Sequence, residues 1–118
     1  MDLGLKDKVA IVTGSARGLG AAMVRRLAHE GARVVVTDIL REQAEATAAA
    51  LRADGLQAHC VIADITKAAD VQRLVDETVA TFGGVHVLVN NAGMPRDKYL
   101  VKMTEEDWEL VMNVMLKG

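Results

Sequence analysis

Cysteine is nearly absent from this 118-residue sequence: Cys60 stands alone, so no internal disulfide can form. A lone thiol inside a predicted strand reads as a small core residue rather than a nucleophile. An excess of one charge is missing too. The 14 basic and 16 acidic residues are interleaved and leave a net charge of -2, which gives no electrostatic footprint for nucleic acid. No stretch approaches the roughly 18 apolar residues of a membrane-spanning helix. The opening "MDLGLKDKVAIV" lacks the uninterrupted apolar segment of a secretory leader. The expectation is a soluble, cytoplasmic protein with neither a membrane nor a nucleic-acid partner. Three histidines, His29, His59 and His86, show no ligand spacing and no adjacent nucleophile, so no metal site is supported. The length fits one small domain and leaves no room for a second domain holding a separate substrate site.

What is present is a rhythm of strands and helices. "VAIVT" (9–13), "RVVVTD" (33–38) and "VHVLVN" (85–90) are short, β-branched and apolar on both faces, with a weaker fourth run in "AHCVIAD" (58–64). Such runs suit the strands of a parallel sheet covered by helices on both sides. Between them lie helical patterns. The second, "REQAEATAAALRA", is rich in alanine and closed by "DG" at 54–55. The third repeats Val71, Leu74, Val75, Thr78 and Phe82 and is stopped by "GG" at 83–84. The order predicts a Rossmann-type, doubly wound α/β sheet of four strands and four helices. Its ligand site should lie outside the carboxyl ends of the first and fourth strands.

"VTGSARGLGAA" follows the first strand directly and opens a helix, the setting a phosphate-binding turn requires. Gly14 can adopt a backbone geometry closed to other residues, Gly18 lets the chain approach a diphosphate, and Gly20 permits close helix-to-strand packing. Ser15 lies within the same turn and is counted with the cofactor-binding residues. Free amides at the helix start face an anion with a dipole contribution of roughly 0.3–2 kcal/mol. Asp38 ends the second strand 18 residues after Gly20, where a carboxylate can accept both hydroxyls of an adenosine ribose. It would also repel a 2′-phosphate. NAD is therefore expected over NADP, with Arg17 in the turn partly offsetting that repulsion.

"TGSARGLG" (13–20), "AD-I" (63–65) and "NNAG" (90–93) together resemble, in order and position, the short-chain dehydrogenase/reductases. "NNAGMPRDKYLVKMTEEDWELV" is similar to the branch containing 3-oxoacyl-(acyl carrier protein) reductases and 3-hydroxyacyl dehydrogenases. The resemblance implies that the backbone of Arg17 and Leu19 touches the diphosphate. It places Asp64 and Ile65 at the adenine, and Asn91, Ala92 and Gly93 at the adenine-proximal ribose. It further implies a nicotinamide dinucleotide cofactor, a carbonyl or alcohol substrate of acyl type, and a homo-oligomer. Members of that family exchange a proton through a tyrosine with a lysine four residues later, beside a serine. The one tyrosine here, Tyr99, has Lys102 three residues on and sits in a loop, so it reads as a loop aromatic.

"TEED" (104–107) forms a capping box with Thr104 as N-cap, predicting a fourth helix through "DWELVMNVMLKG". Its apolar residues cover roughly 240° of the helical wheel, more than one sheet face can bury. The family's asparagine lies seven residues after the tryptophan, a place Met115 occupies, while Asn113 falls on the polar side. No catalytic residue is therefore assigned. The expectation is one dinucleotide-binding domain over residues 1–118, truncated within or just after the fourth helix and without turnover of its own. A non-catalytic nucleotide-binding or self-associating half-domain is the competing reading. An S-adenosylmethionine methyltransferase, which also uses an acid after the second strand, is a third, and "NNAG" argues against it.

Overall fold

The β-branched runs form a parallel sheet in the computed structural model, which describes residues 4–91 and the backbone of 110–113. The elements are β1 (Val9–Thr13), α1 (Gly18–His29), β2 (Arg33–Asp38), α2 (Arg41–Ala53), β3 (Ala58–Ile62), α3 (Ala68–Phe82), β4 (Val87–Asn90) and β5 (Leu110–Asn113). Strand order is β3-β2-β1-β4-β5, and all pairings are parallel. Register is continuous across the centre: Ile11 lies beside Val35 on one side and Leu88 on the other.

Alternation along each strand sorts the core into two layers. Ala10, Val12, Val34, Val36, Val87 and Val89 join Val24 and Ala28 of α1 and Ala44, Ala48 and Leu51 of α2. Ile11, Val35, Val61 and Leu88 face the other way and meet Leu74 of α3. This is why the centres of the strands are apolar on both faces, with polar residues such as Thr13, Asp38 and Asn90 kept to the strand ends. Helix α1 presents Gly20, Val24 and Ala28, one per turn, to the sheet. The alanines of α2 are not filler, because Ala44 and Ala48 are fully buried and bring that helix close. Burying a valine or leucine completely is worth about 1.5–3 kcal/mol, so the fully buried valines of the central strands are a large contribution to stability.

Helices end where the sequence says they should. Gly83 caps α3 in the left-handed conformation at φ 89°, and Gly55 follows α2 at φ 80°. His86 does not lie within β4 but just before it, where its Nδ1 accepts the Val9 N–H at 2.9 Å. That bond ties the segment entering β4 to β1.

One expectation is corrected. Leu110–Asn113 was expected inside a fourth helix, and it forms β5, paired with β4 from Val87↔Leu110 to Asn90↔Asn113. Three helices, not four, are present among the described residues. The continuous apolar run Leu110–Met112 is too short to carry a period and fits a covered strand as well as a helix. Here it satisfies the backbone groups along the outer edge of β4, which would otherwise stand unpaired. The capping box at 104–107, Tyr99, Lys102 and Met115 lie outside the described residues. No helix among those described is long and apolar enough to cross a membrane, and no group of histidine, cysteine or acidic residues among them is placed to hold a metal.

Candidate functional site

The order of the strands fixes where a cleft can open. The chain builds outward from β1 through β2 to β3 on one side, then returns through α3 to β4 on the other side of β1. The connections leaving β1 and β4 therefore diverge, and a crevice forms beyond their carboxyl ends. A cleft of about 540 Å³ lies there, walled by residues from the ends of β1, β2 and β3, the start of α1 and Asn91 after β4.

Glycine geometry shapes its base. Gly14 and Gly18 have φ of 64° and 60°, a region side-chain-bearing residues avoid. At Gly18 a side chain would meet nothing within 4 Å, so the missing Cβ leaves open space. Gly20 is the opposite case. A Cβ there would collide with the Gly14 carbonyl oxygen and come within 2.5 Å of the Asn91 Nδ2, so α1 approaches the sheet more closely than alanine allows.

Helix α1 opens without help. Its N-cap, Arg17, makes no side-chain cap and its first turn has no acidic residue, whereas α2 and α3 carry Glu42 and Asp70 in theirs. The unpaired amides and the positive end of the helix dipole are thus free for an anion.

Asp38 holds the facing wall. Its Oδ2 accepts the Ala16 N–H at 3.1 Å, and its Oδ1 accepts the Ile39 and Leu40 N–H groups at 2.8 and 3.3 Å. A carboxylate has about four acceptor positions, so three bonds leave capacity for a further donor. Asp64, at the end of the third strand segment, accepts from the Thr66 hydroxyl at 2.6 Å and its N–H at 3.0 Å. These bonds favour the charged form and hold the carboxyl below its usual range. Burial acts oppositely on Cys60, pushing its thiol up, in keeping with a half-buried core residue.

Among the described residues, two polar atoms of the cleft residues are left over, with Arg33 Nε a third outside the cleft. Thr37 Oγ1 and Asn91 Oδ1 are buried without a hydrogen-bond partner, and both residues line the cleft. An unpaired buried polar atom costs about 1–3 kcal/mol. Asn91 is otherwise tied down, its Nδ2 donating to the Gly14 oxygen at 3.2 Å and its N–H to the Thr13 hydroxyl at 2.8 Å. That hydroxyl donates to Asn90 Oδ1 at 3.0 Å, so Thr13 and Asn90 lock the ends of β1 and β4 together.

Of the residues expected from sequence, Gly14, Arg17, Gly18, Asp38, Asp64, Ile65 and Asn91 line this one cleft. Ser15, Leu19 and Gly20 do not. Ser15 is fully buried, its hydroxyl donating to the Val12 oxygen at 2.7 Å and accepting the Thr37 N–H at 3.0 Å, so its side chain binds the turn to β2. Leu19 is exposed on α1. Ala92 and Gly93 lie outside the described residues. Thr37, Ile39, Leu40, Ala63 and Thr66 also line the cleft, and sequence reasoning missed them. Their signal was adjacency to Asp38 and Asp64 at strand ends.

A family model described as short chain dehydrogenase matches residues 8–118. The subunit BbsD of (2S)-((R)-hydroxy(phenyl)methyl)succinyl-CoA dehydrogenase from Thauera aromatica is 42% identical over 116 residues, 98% of this chain and 47% of that protein. The 3-oxoacyl-(acyl-carrier-protein) reductase FabG of Staphylococcus epidermidis is 38% identical over 113 residues, 95% of this chain and 46% of that protein. Among solved structures, a hydroxysteroid dehydrogenase from Escherichia coli matches with a TM-score of 0.74 and 37% identity, over 76% of this chain and 38% of that one. The chain spans about half the length of the curated relatives it matches.

Proposed function

This chain belongs to the short-chain dehydrogenase family, and on that premise we propose that its cleft holds the adenosine diphosphate portion of a nicotinamide dinucleotide, NAD in preference to NADP. One observation carries the reading: the uncapped amino end of α1 opens on the same cleft as the Asp38 carboxylate. Donors for a diphosphate thus stand beside an acceptor for ribose hydroxyls.

The roles follow by position. The backbone of Arg17, Gly18 and Leu19 meets the diphosphate, with Gly14 and Gly20 setting the shape of the turn. Asp38 takes a hydroxyl of the adenosine ribose with its remaining acceptor position and opposes a 2′-phosphate. Asp64 and Ile65 flank the adenine, and Asn91, with Ala92 and Gly93, lies along the adjacent ribose. Ser15 acts from below by holding the turn in place. The bound dinucleotide would supply hydride acceptance or donation; the residues named here bind and orient it.

For the whole protein we propose hydride transfer between NAD(H) and a 3-hydroxyacyl or 3-oxoacyl thioester, or a similar alcohol or carbonyl, in a cytoplasmic homo-oligomer. Relatives named for succinyl-CoA-type and 3-oxoacyl-carrier substrates support that class. These 118 residues hold no tyrosine with a lysine four positions later, since Met103 stands four after Tyr99. The chain by itself therefore binds the dinucleotide without turning substrate over. The test is NADH and NADPH titration, followed by fluorescence, of the wild type and Asp38→Asn. Wild type should favour NADH, and the variant should lose about tenfold or more in NADH affinity, the scale of a hydrogen bond to a charged group. Unchanged NADH affinity and unchanged preference in Asp38→Asn would remove the ribose assignment.

A further inference from the structure

Thr47 lies in the middle of α2 and is not part of the cleft wall. A threonine inside a helix commonly returns its hydroxyl to the carbonyl four residues back, as Thr78 does to the Leu74 oxygen at 2.7 Å. Thr47 does something else. Its hydroxyl donates to the Ala16 carbonyl oxygen at 2.7 Å, in the glycine-rich turn 31 positions earlier. Ala16 is buried, and its N–H is held by Asp38 Oδ2 at 3.1 Å. Both peptide groups flanking Ala16 are thereby fixed from the β2–α2 side of the turn.

Peptide planarity converts that anchor into an orientation. In a trans peptide the carbonyl of one residue and the N–H of the next point in opposite directions. With the Ala16 oxygen drawn toward α2, the Arg17 N–H must point away from α2. It takes no acceptor among the described residues, and Arg17 lines the cleft. Were the peptide to turn over, a carbonyl oxygen would take the place of that N–H donor, and attraction for an anion beside it would become repulsion.

Resting on the dinucleotide reading above, we propose that Thr47 is a positioning residue for the diphosphate: it locks the 16–17 peptide so that the Arg17 N–H joins the free amides of α1 in facing the anion. The lock comes from a helix outside the site and never touches the ligand.

The experiment compares wild type with Thr47→Val, Thr47→Ala and Thr47→Ser, titrating each with ADP, NADH and adenosine and following amide NMR signals. Removing the hydroxyl should weaken ADP and NADH about tenfold or more, the scale of one hydrogen bond to a charged acceptor, and leave adenosine unchanged. Thr47→Ser should restore ADP binding. Thr47→Ala, small and helix-favouring, carries the test if valine disturbs folding. Equal losses for adenosine and ADP would mean a general distortion and overturn the proposal, as would wild-type ADP affinity in both the valine and alanine variants. A wild type that binds neither ADP nor NADH overturns the dinucleotide reading itself, and the proposal with it.

Discussion

Replacing Gly20 with alanine adds one methyl group at the closest approach of α1 to the sheet. That methyl would overlap the Gly14 carbonyl oxygen and stand 2.5 Å from the Asn91 Nδ2. The first neighbour is backbone in a turn already committed to a φ of 64°, so it cannot swing aside as a flexible side chain would. Overpacking of this kind costs typically about 1–3 kcal/mol, and a backbone obstacle places it near the upper end. Alanine recovers at most about 1 kcal/mol in helix propensity, less in the first turn. The net expectation is a loss of about 2 kcal/mol, or roughly 10 °C in melting temperature for a chain of this size. Gly84→Ala is the matched control, because its Cβ would meet only the His86 ring at an ordinary 3.8 Å. Thermal unfolding followed by circular dichroism, with a urea titration for the free energy, reads both variants. A Gly20→Ala protein melting within about 2 °C of wild type would refute the claim that α1 is drawn against the sheet at this point.

Thr13→Val keeps the shape of a buried residue but strands the Asn91 N–H and Asn90 Oδ1, so it should cost about 1–3 kcal/mol in urea unfolding, with Thr13→Ser retaining most of the stability. Asp64 should titrate below the usual carboxylate range in a carbon-detected NMR titration, and Thr66→Val should move it upward by removing the hydroxyl donor. Because its folded-state value is lowered, the contribution of Asp64 to stability is in place at neutral pH and disappears as the pH falls through that lowered value.

Much of this arrangement was legible in the chain, and the exceptions share a cause. Runs such as "VAIVT" and "RVVVTD" are apolar on both faces and β-branched, and the strands occupy those same residues. "AHCVIAD" runs two residues past the strand it contains. Strand β3 stops at Ile62 because the Asp64 N–H turns to Asp70 at 2.8 Å and its carboxylate takes Thr66, a local turn chemistry that competes with pairing. Asp38 was legible as a cleft residue, but its bond to Ala16 was not, since the partners lie 22 positions apart. Ser15 and Thr47 were opaque for the same reason: short polar side chains whose partners are fixed only when β1, β2 and α2 come together. Leu110–Asn113 went the other way, because three consecutive apolar residues, Leu110, Val111 and Met112, do not distinguish helix from covered strand.

The central claim is that a dinucleotide occupies the cleft at the carboxyl ends of the strands, and its most direct measurement is an ADP titration of the isotope-labelled chain followed by amide NMR. Saturable shifts should concentrate at Gly14, Arg17, Gly18, Asp38, Asp64, Ile65 and Asn91, with NADH competing for the same sites. No saturable shift, or shifts confined to the far ends of the strands, would contradict it.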